Sequence, residues 1–184
     1  MKKVLLAVMA LTAFAGNAQD GFKGKWFVMG QAGYGTTNDG KTTSYSILPA
    51  VGTFVAPTTA VGLAIGYVGG NDETSGTKVE SSMVVVQPLA RKYWGVTDNF
   101  LLFGQASVPL SFLDVAGAKA TNYGVEVGAG IDYFLSSNWS IEAQFGVAGW
   151  QSSKPKNGDA TSDFNIGINS GLLDGVKFGI KYIF

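Results

Sequence analysis

The sequence predicts an all-β fold, namely an eight-stranded antiparallel up-and-down transmembrane β-barrel. Three observations predict it. In one segment every second residue is apolar and most of the others are polar or small, two tyrosines in that segment are spaced by the height of the apolar band of a membrane, and the links between predicted strands alternate between long and short. Together they favour a barrel in lipid over a soluble sandwich, whose Greek-key links have no reason to alternate in length.

The clearest strand covers residues 123–135. Every second residue from Tyr123 to Leu135 is apolar, and this period of two is the side-chain period of a β-strand. Tyr123 and Tyr133 lie on the apolar face, ten residues apart. At about 3.3 Å per residue and a tilt of about 40°, they are separated by roughly 25 Å along the barrel axis. That distance is the height of the lipid-facing band in outer-membrane barrels.

Seven further segments are predicted strands, and two of them depart from strict alternation. Leu48 and Phe54 break the apolar face of the second strand, and Pro88 predicts a bulge in the fourth because it cannot donate a ladder hydrogen bond. The seven segments are 24–35, 43–55, 60–69, 79–94, 99–112, 139–150 and 162–184.

The last segment is too long for one spanning strand and has two interpretations. Asp174-Gly175 closes a hairpin and makes nine strands, or one strand continues beyond the bilayer with Asp174 at the outer interface. We favour the second interpretation because an even number of strands keeps both termini on the periplasmic side.

The links predict the orientation of the barrel. Residues 36–42, 70–78, 113–120 and 151–161 are long and polar, whereas 56–59, 95–98 and 136–138 are short. This asymmetry is typical of extended external loops and tight periplasmic turns.

Composition excludes several classes of function. The net charge is zero and no cluster of Lys or Arg marks a face for nucleic acid, so we expect no nucleic-acid partner. The chain has no Cys and no His, which removes thiol, Ser-His and His-metal chemistry. We therefore expect no enzymatic activity, no cofactor and no metal. Charged residues make up only 14%, fewer than a soluble chain carries, which is typical of an outer surface covered by lipid.

The N-terminus predicts export. Lys2 and Lys3 precede an apolar run over 4–15, and small residues follow at 16–18. Residues 1–18 are therefore a predicted signal peptide, and residues 19–184 a single barrel domain that begins at Gln19. We expect the protein in the outer membrane of a Gram-negative cell.

The residues that alternate with the apolar face predict a polar network in the lumen. An eight-stranded barrel is just wide enough to be filled by side chains, so charges inside it must pair with one another. We favour this structural network over a narrow pore and over catalytic carboxylates. The irregular fourth strand leaves the direction of Arg91 open. The predicted members are Gln31, Arg91, Gln105, Glu126, Asp132, Glu142, Gln144, Lys177 and Lys181.

Aromatic residues near the ends of predicted strands predict two girdles at the level of the lipid headgroups. Tyr93 and Trp94 also lie near such an end. The predicted girdle consists of Trp26, Tyr34, Tyr67, Tyr123, Tyr133, Trp139, Tyr182 and Phe184.

Three segments resemble a known family. Residues 48–55 (LPAVGTFV), 60–67 (AVGLAIGY) and 178–184 (FGIKYIF) are similar to strands of the small outer-membrane β-barrel domain proteins of Gram-negative bacteria. These are common in the Bacteroidetes and resemble OmpX and the barrel half of OmpA. The resemblance implies an aromatic C-terminal strand that the barrel-assembly machinery reads, here through Phe178, Tyr182 and Phe184. It implies no catalytic residues, because the family shares none.

The expected function is a structural or surface-interaction role, with a lumen filled by side chains. The expected partners are outer-membrane lipids, lipopolysaccharide and, during biogenesis, the assembly machinery; the sequence names no extracellular partner. Two alternatives are a narrow porin-like channel for small solutes and a lipocalin-like carrier of an apolar ligand.

Overall fold

The computed structural model describes residues 22–37, 41–73, 76–115, 118–156, 158–167 and 176–184. The predicted signal peptide lies outside these residues. Among the described residues, no helix is long and apolar enough to cross a membrane. The strands found there are β1 (Trp26–Thr37), β2 (Thr42–Ala56), β3 (Thr59–Asp72), β4 (Val79–Gly95), β5 (Phe100–Ser107), β6 (Leu110–Val115), β7 (Ala118–Phe134), β8 (Trp139–Pro155), β9 (Thr161–Ile166) and β10 (Lys177–Ile183).

The strands close into a ring of eight positions. β5 and β6 share one position between β4 and β7, while β9 and β10 both pair with β8. β10 also pairs with β1, and Trp26 and Phe184 complete that seam with two backbone hydrogen bonds of 2.9 Å. All pairings are antiparallel. The predicted eight-stranded barrel is confirmed. We call the end with Trp26 and Phe184 the terminal end and the opposite end the loop end.

The interruption between β5 and β6 explains how proline fits into this ring. The predicted bulge at Pro88 is wrong, because Pro88 stays in register with Leu63 of β3. On its other side Pro88 accepts a hydrogen bond from Val108 at 3.0 Å, where Pro109 interrupts the fifth strand. The missing N–H of Pro88 therefore faces a gap that already exists. Register shifts occur instead between Phe54 and Ala56 and between Val127 and Gly128.

The strand position that β9 and β10 share decides between the two interpretations of the last segment. β9 and β10 are both antiparallel to β8, so they run in the same direction, whereas a hairpin between them would reverse one of them. The nine-stranded interpretation is wrong. Asp174-Gly175 itself lies outside the described residues. Residues 145–147 of β8 lie between the stretch that pairs with β10 and the stretch that pairs with β9.

The strands at the loop end are longer than predicted. β7 begins at Ala118 and β8 ends at Pro155, so much of the predicted links 113–120 and 151–161 belongs to the ladder. The backbone groups of these strand extensions still pair with each other beyond the bilayer, although apolar and polar side chains no longer alternate there. The sequence asymmetry between long and short links is therefore expressed as strands that project at the loop end.

The lumen contains two apolar clusters, which account for the residues that break alternation. Phe54 turns inward at the terminal end and Leu48 turns inward nearer the loop end. Around Leu48 lie Met83 and Val85, with Val68 and Leu113 packed against them. The larger cluster at the terminal end includes Phe22, Phe27, Phe54, Tyr93, Leu101, Phe103, Phe134 and Ile183.

Phe22 closes the terminal end from outside the ladder. A turn at Gly24, whose φ is 84°, folds the chain back, and the Lys25 amide donates to the Phe22 carbonyl at 2.9 Å. The Phe22 ring then stacks on Phe54 and Phe134 at centroid distances of 5.2 and 5.4 Å. Sequence reasoning missed this contact because Phe22 precedes the first alternating segment.

A charge on the outward face tests the environment of that face. Leu63 points outward near mid-height on β3, so we expect Leu63→Arg to lower the free energy of unfolding by about 2–4 kcal/mol in vesicles. Thr43→Arg, which lies beyond Tyr45 at the loop end, is the matched control, with an expected loss of about 0–1 kcal/mol. Urea titration monitored by tryptophan fluorescence measures both. Equal losses would contradict a lipid-facing wall.

Candidate functional site

A layer of charged side chains crosses the lumen directly above the aromatic cluster of the terminal end. We call Arg91, Asp132, Glu142 and Lys181 the charged layer; they lie on β4, β7, β8 and β10. All four side chains are 0% exposed. They are buried because successive inward positions of neighbouring strands meet at one height, for example Asp132 opposite Glu142.

Arg91 makes the most contacts in the charged layer. Its guanidinium donates from Nη1 to Glu142 Oε2 at 2.7 Å and from Nη2 to Glu142 Oε1 at 3.1 Å, a bidentate pair. Nε donates to Gln105 Oε1 at 2.6 Å, and Nη2 also reaches Gln144 Oε1 at 3.1 Å. The guanidinium carbon lies 4.4 Å from the centre of the Phe103 ring. The structure thus settles the direction of Arg91, which points into the lumen.

Lys181 links the two carboxylates. Its ammonium group pairs with Asp132 and lies 3.8 Å from Glu142 Oε2. It also donates to the Tyr93 hydroxyl at 3.4 Å, and its Nζ lies 5.7 Å from the centre of the Phe134 ring. Tyr93 therefore belongs to the lumen, and its predicted place near the girdle is wrong because the inward phase of β4 includes residue 93.

Glutamines add hydrogen bonds to the charged layer, in which Asp132 Oδ1 finds no hydrogen-bond partner among the described residues. Gln31 Nε2 donates to Glu142 Oε1 at 2.6 Å and to Gln144 Oε1 at 2.9 Å. Glu142 thereby receives hydrogen bonds from both Arg91 and Gln31. The two cations balance the two carboxylates, which is the arrangement that a buried charge requires, since an unpaired charge in a low-dielectric interior costs several kcal/mol.

The structure brings seven of the nine predicted network residues into direct contact. The remaining two, Glu126 and Lys177, also lie on the inward face but closer to the loop end. Glu126 is in register with Ser107, and Lys177 with Gln144. The sequence predicted the polar members by alternation alone. Their aromatic neighbours Phe103 and Tyr93 are the residues that it did not assign to this site.

The predicted girdle residues lie on the outward face at both ends of the barrel. Tyr123 is 46% and Tyr133 45% exposed, and Tyr182 is half-buried between Trp139 and Phe184 at centroid distances of 4.8 and 6.1 Å. The exposed remainder is Trp26, Tyr34, Tyr67, Trp139 and Phe184. Two further outward aromatics were missed, Tyr45 beside Tyr67 and Trp150 beside Tyr123. Tyr45 carries the outward phase of β2, which was the available signal, whereas Trp150 is out of phase with Trp139 and faces outward only beyond the register shift between β7 and β8.

The predicted assembly residues lie on the outward side of β10 and at Phe184, the residue that follows it. Phe178 and Phe184 are exposed, and Tyr182 lies between them on the same side. Their role in biogenesis stays a prediction, because a folded barrel does not show how it was assembled.

The described side chains of the lumen are suited to closing it. Among the described residues, no group of three or more His, Cys, Asp or Glu side chains is placed to hold a metal ion. Each carboxylate of the charged layer is committed to a cation, so neither is positioned as a free base. A cleft of about 210 Å³ opens below this layer, lined by Phe22, Phe54, Tyr93, Leu101 and Phe134 among others.

Comparison of the structure with solved structures identifies the class of fold, which is the transmembrane β-barrel of outer-membrane proteins. Neisserial surface protein A matches with a TM-score of 0.56 at 14% identity, covering 86% of this chain and 97% of that one. The outer-membrane protein OprG of Pseudomonas aeruginosa matches with 0.56 at 15%, covering 91% and 99%. Outer membrane protein W of E. coli matches with 0.51 at 16%, covering 89% and 100%. No protein-family model and no curated protein matches the sequence.

Breaking the charge balance tests the role of the charged layer in stability. We expect Glu142→Gln to lower the free energy of unfolding by about 3–5 kcal/mol, because Arg91 loses its counter-charge inside the lumen. The double variant Arg91→Met/Glu142→Met retains the Lys181–Asp132 pair and is the matched control, with an expected loss of about 1 kcal/mol. Urea titration in vesicles measures both. An equal loss in the two variants would contradict a balanced pair.

Proposed function

We propose that this protein is an exported outer-membrane barrel with a closed lumen and a structural or surface-interaction role, without catalysis. The signal peptide predicted at 1–18 supports export, and the fold supports placement in the outer membrane of a Gram-negative cell. In that membrane the terminal end faces the periplasm and the loop end faces outward.

The single observation that carries the proposal is the complete burial of the charged layer. Arg91 and Lys181 extend into the lumen from β4 and β10 and meet carboxylates from β7 and β8, so four of the eight strand positions are joined across the interior. The aromatic cluster lies directly below, and Phe22 covers it at the terminal end. A solute would have to displace both layers to cross.

The lipocalin-like carrier and the porin-like channel require different kinds of lumen. A lipocalin-like carrier needs an apolar cavity inside and a polar wall outside. Here the large apolar side chains of the outward face, such as Val125, Ile131 and Ile141, are exposed, and the centre of the lumen is charged. A narrow channel needs only a polar path, and the charged layer is polar. The channel is therefore the alternative that a functional measurement has to exclude.

Conductance of the mature chain in a planar bilayer separates closure from a channel. We expect the wild-type protein to give no discrete current steps, because side chains fill the lumen at two levels. Arg91→Ala/Glu142→Ala keeps the remaining charges balanced and removes the bidentate ion pair from the lumen, so we expect current steps from it. Phe22→Ala is the matched control; it opens only the terminal end and stays silent.

Two results of this measurement count against closure by the charged layer. Steady conductance by the wild-type protein would favour the porin-like channel. Silence of a correctly folded double-alanine variant would show that another part of the lumen closes it.

The proposal includes the barrel-assembly machinery as a partner during biogenesis. Phe178, Tyr182 and Phe184 form an outward aromatic row along β10 and the residue after it, available to another protein before the barrel closes. We expect Phe178→Ala/Phe184→Ala to reduce the amount of folded protein in the outer membrane of cells severalfold, while refolding in detergent proceeds normally. Phe112→Ala/Phe164→Ala removes a similar apolar area elsewhere on the outward face and is the control.

Heat-dependent gel mobility of membrane fractions measures the folded amount in both cases. Equal losses in the two variants would indicate a general effect of lost lipid contact rather than recognition of β10.

A further inference from the structure

Three lysines gather on the outer wall at the loop end, where β6, β7 and β8 lie side by side. In one outward row Asp114 is in register with Lys119, and the Lys156 amide donates to the Lys119 carbonyl at 3.0 Å. In the next row towards the terminal end, Phe112 is in register with Thr121 and Thr121 with Lys154. Neighbouring residues on adjacent strands are about 5 Å apart and successive rows about 7 Å apart. The flexible lysine stems therefore reach one common point.

These side chains line a cleft. Its volume is about 350 Å³, and its walls include Phe112, Asp114, Lys119, Thr121, Lys154 and Lys156. The three lysines are exposed, and they face a single carboxylate, that of Asp114, within the cleft. The local excess of positive charge contrasts with a chain whose net charge is zero. It contrasts also with Lys78 at the same end, which is paired with Glu80 at 2.9 Å.

The height of the cleft places it at a lipid headgroup. Tyr123 lies one row below Thr121 on β7, and its ring contacts Trp150 at 5.9 Å. Lys154 is thus roughly 5 Å and Lys119 roughly 10 Å further along the barrel axis than Tyr123. Aromatic side chains of a girdle lie at the boundary between hydrocarbon and headgroups, so the lysines stand within the headgroup layer. Towards the terminal end the wall is apolar: Phe112 is exposed in the row of Lys154, and Leu110 and Val125 are exposed below that row.

A ligand of this cleft needs anionic oxygen atoms at the level of the lysines and apolar chains below. Lysine is a flexible point charge suited to phosphate, and cationic clusters beside a membrane bind anionic headgroups. Free phosphate satisfies only the upper half of these requirements. We propose that the cleft binds the phosphate groups of a phosphorylated glycolipid of the outer leaflet, with its acyl chains on the apolar wall beneath. The inference rests on the outer-membrane placement in the proposed function, and it deepens that proposal by locating one lipid partner.

Titration of the folded mature chain with lipid tests the inference. Bisphosphorylated lipid A, the same lipid A after removal of its phosphates, and inorganic phosphate are added separately to the protein in non-ionic detergent, and native mass spectrometry measures bound ligand. We expect Lys119→Gln/Lys154→Gln/Lys156→Gln to bind bisphosphorylated lipid A at least about tenfold more weakly than wild type. We expect the wild-type protein and this triple variant to bind the dephosphorylated lipid equally.

Two control variants separate the cleft from general charge and from the lysine side chain as such. Lys23→Gln/Lys41→Gln/Lys92→Gln makes the same change of charge at exposed lysines elsewhere, and we expect its affinity to stay within about twofold of wild type. Replacement of the three cleft lysines by arginine preserves the charge and should preserve binding. Heat-dependent gel mobility verifies folding, and if the triple variant fails to fold, Lys154→Gln alone is expected to weaken binding about threefold.

The opposite results overturn the inference. If wild type and the variant with three cleft lysines replaced by glutamine bind bisphosphorylated lipid A equally well, the cleft is not the binding site. If the control variant with Lys23, Lys41 and Lys92 replaced is weakened to the same degree, binding depends on overall charge. If inorganic phosphate binds as tightly as the lipid and its binding depends on the cleft lysines, the ligand is a free anion and not a lipid. Conductance is a separate readout, so a conducting barrel with lysine-dependent lipid binding would overturn the proposed closure and leave this inference standing.

Discussion

The constraint on which the structure depends is the narrow interior of a sheet closed at eight positions. Once β10 pairs with β1, each inward side chain must fit against those from the opposite wall, and its polar groups depend on that wall for partners. Bulky side chains are accommodated by glycine beside them. A Cβ atom at Gly52 would overlap the Phe27 ring, and one at Gly130 would overlap the Phe103 ring. The sizes and polarities of the inward side chains are therefore matched to their neighbours around the lumen.

The same constraint explains why aromatic and charged side chains lie in adjacent layers. Phe103 faces the Arg91 guanidinium and Tyr93 faces the Lys181 ammonium group, so each cation has a ring on one side and a carboxylate on another. Ring faces are partly negative, and they add attraction without adding a charge that would need a further partner. The layer of rings also keeps water from the ion pairs, which strengthens them.

The outward face could be predicted almost completely from the sequence, whereas the inward face could be predicted only in part. Lipid imposes one rule on every outward position, so Tyr123, Val125 and Ile131 show their direction by period alone. The interior imposes a different rule at each height: apolar at Phe54, charged at Arg91, apolar again at Leu48. Leu48 and Phe54 therefore looked like errors in the pattern. The contact of Phe22 with Phe134 joins residues 112 positions apart, and no local period reports it.

The seam between β1 and β10 has a consequence for the order in which the molecule forms. Phe27 pairs with Ile183, so the hydrogen bonds that complete the cylinder join residues from opposite ends of the described chain. Such distant pairings carry the largest loss of chain entropy and form slowly. Until they form, β1 and β10 are both free sheet edges, and free edges invite pairing with other chains. The interval between synthesis and closure is therefore the period in which this polypeptide is most exposed to aggregation.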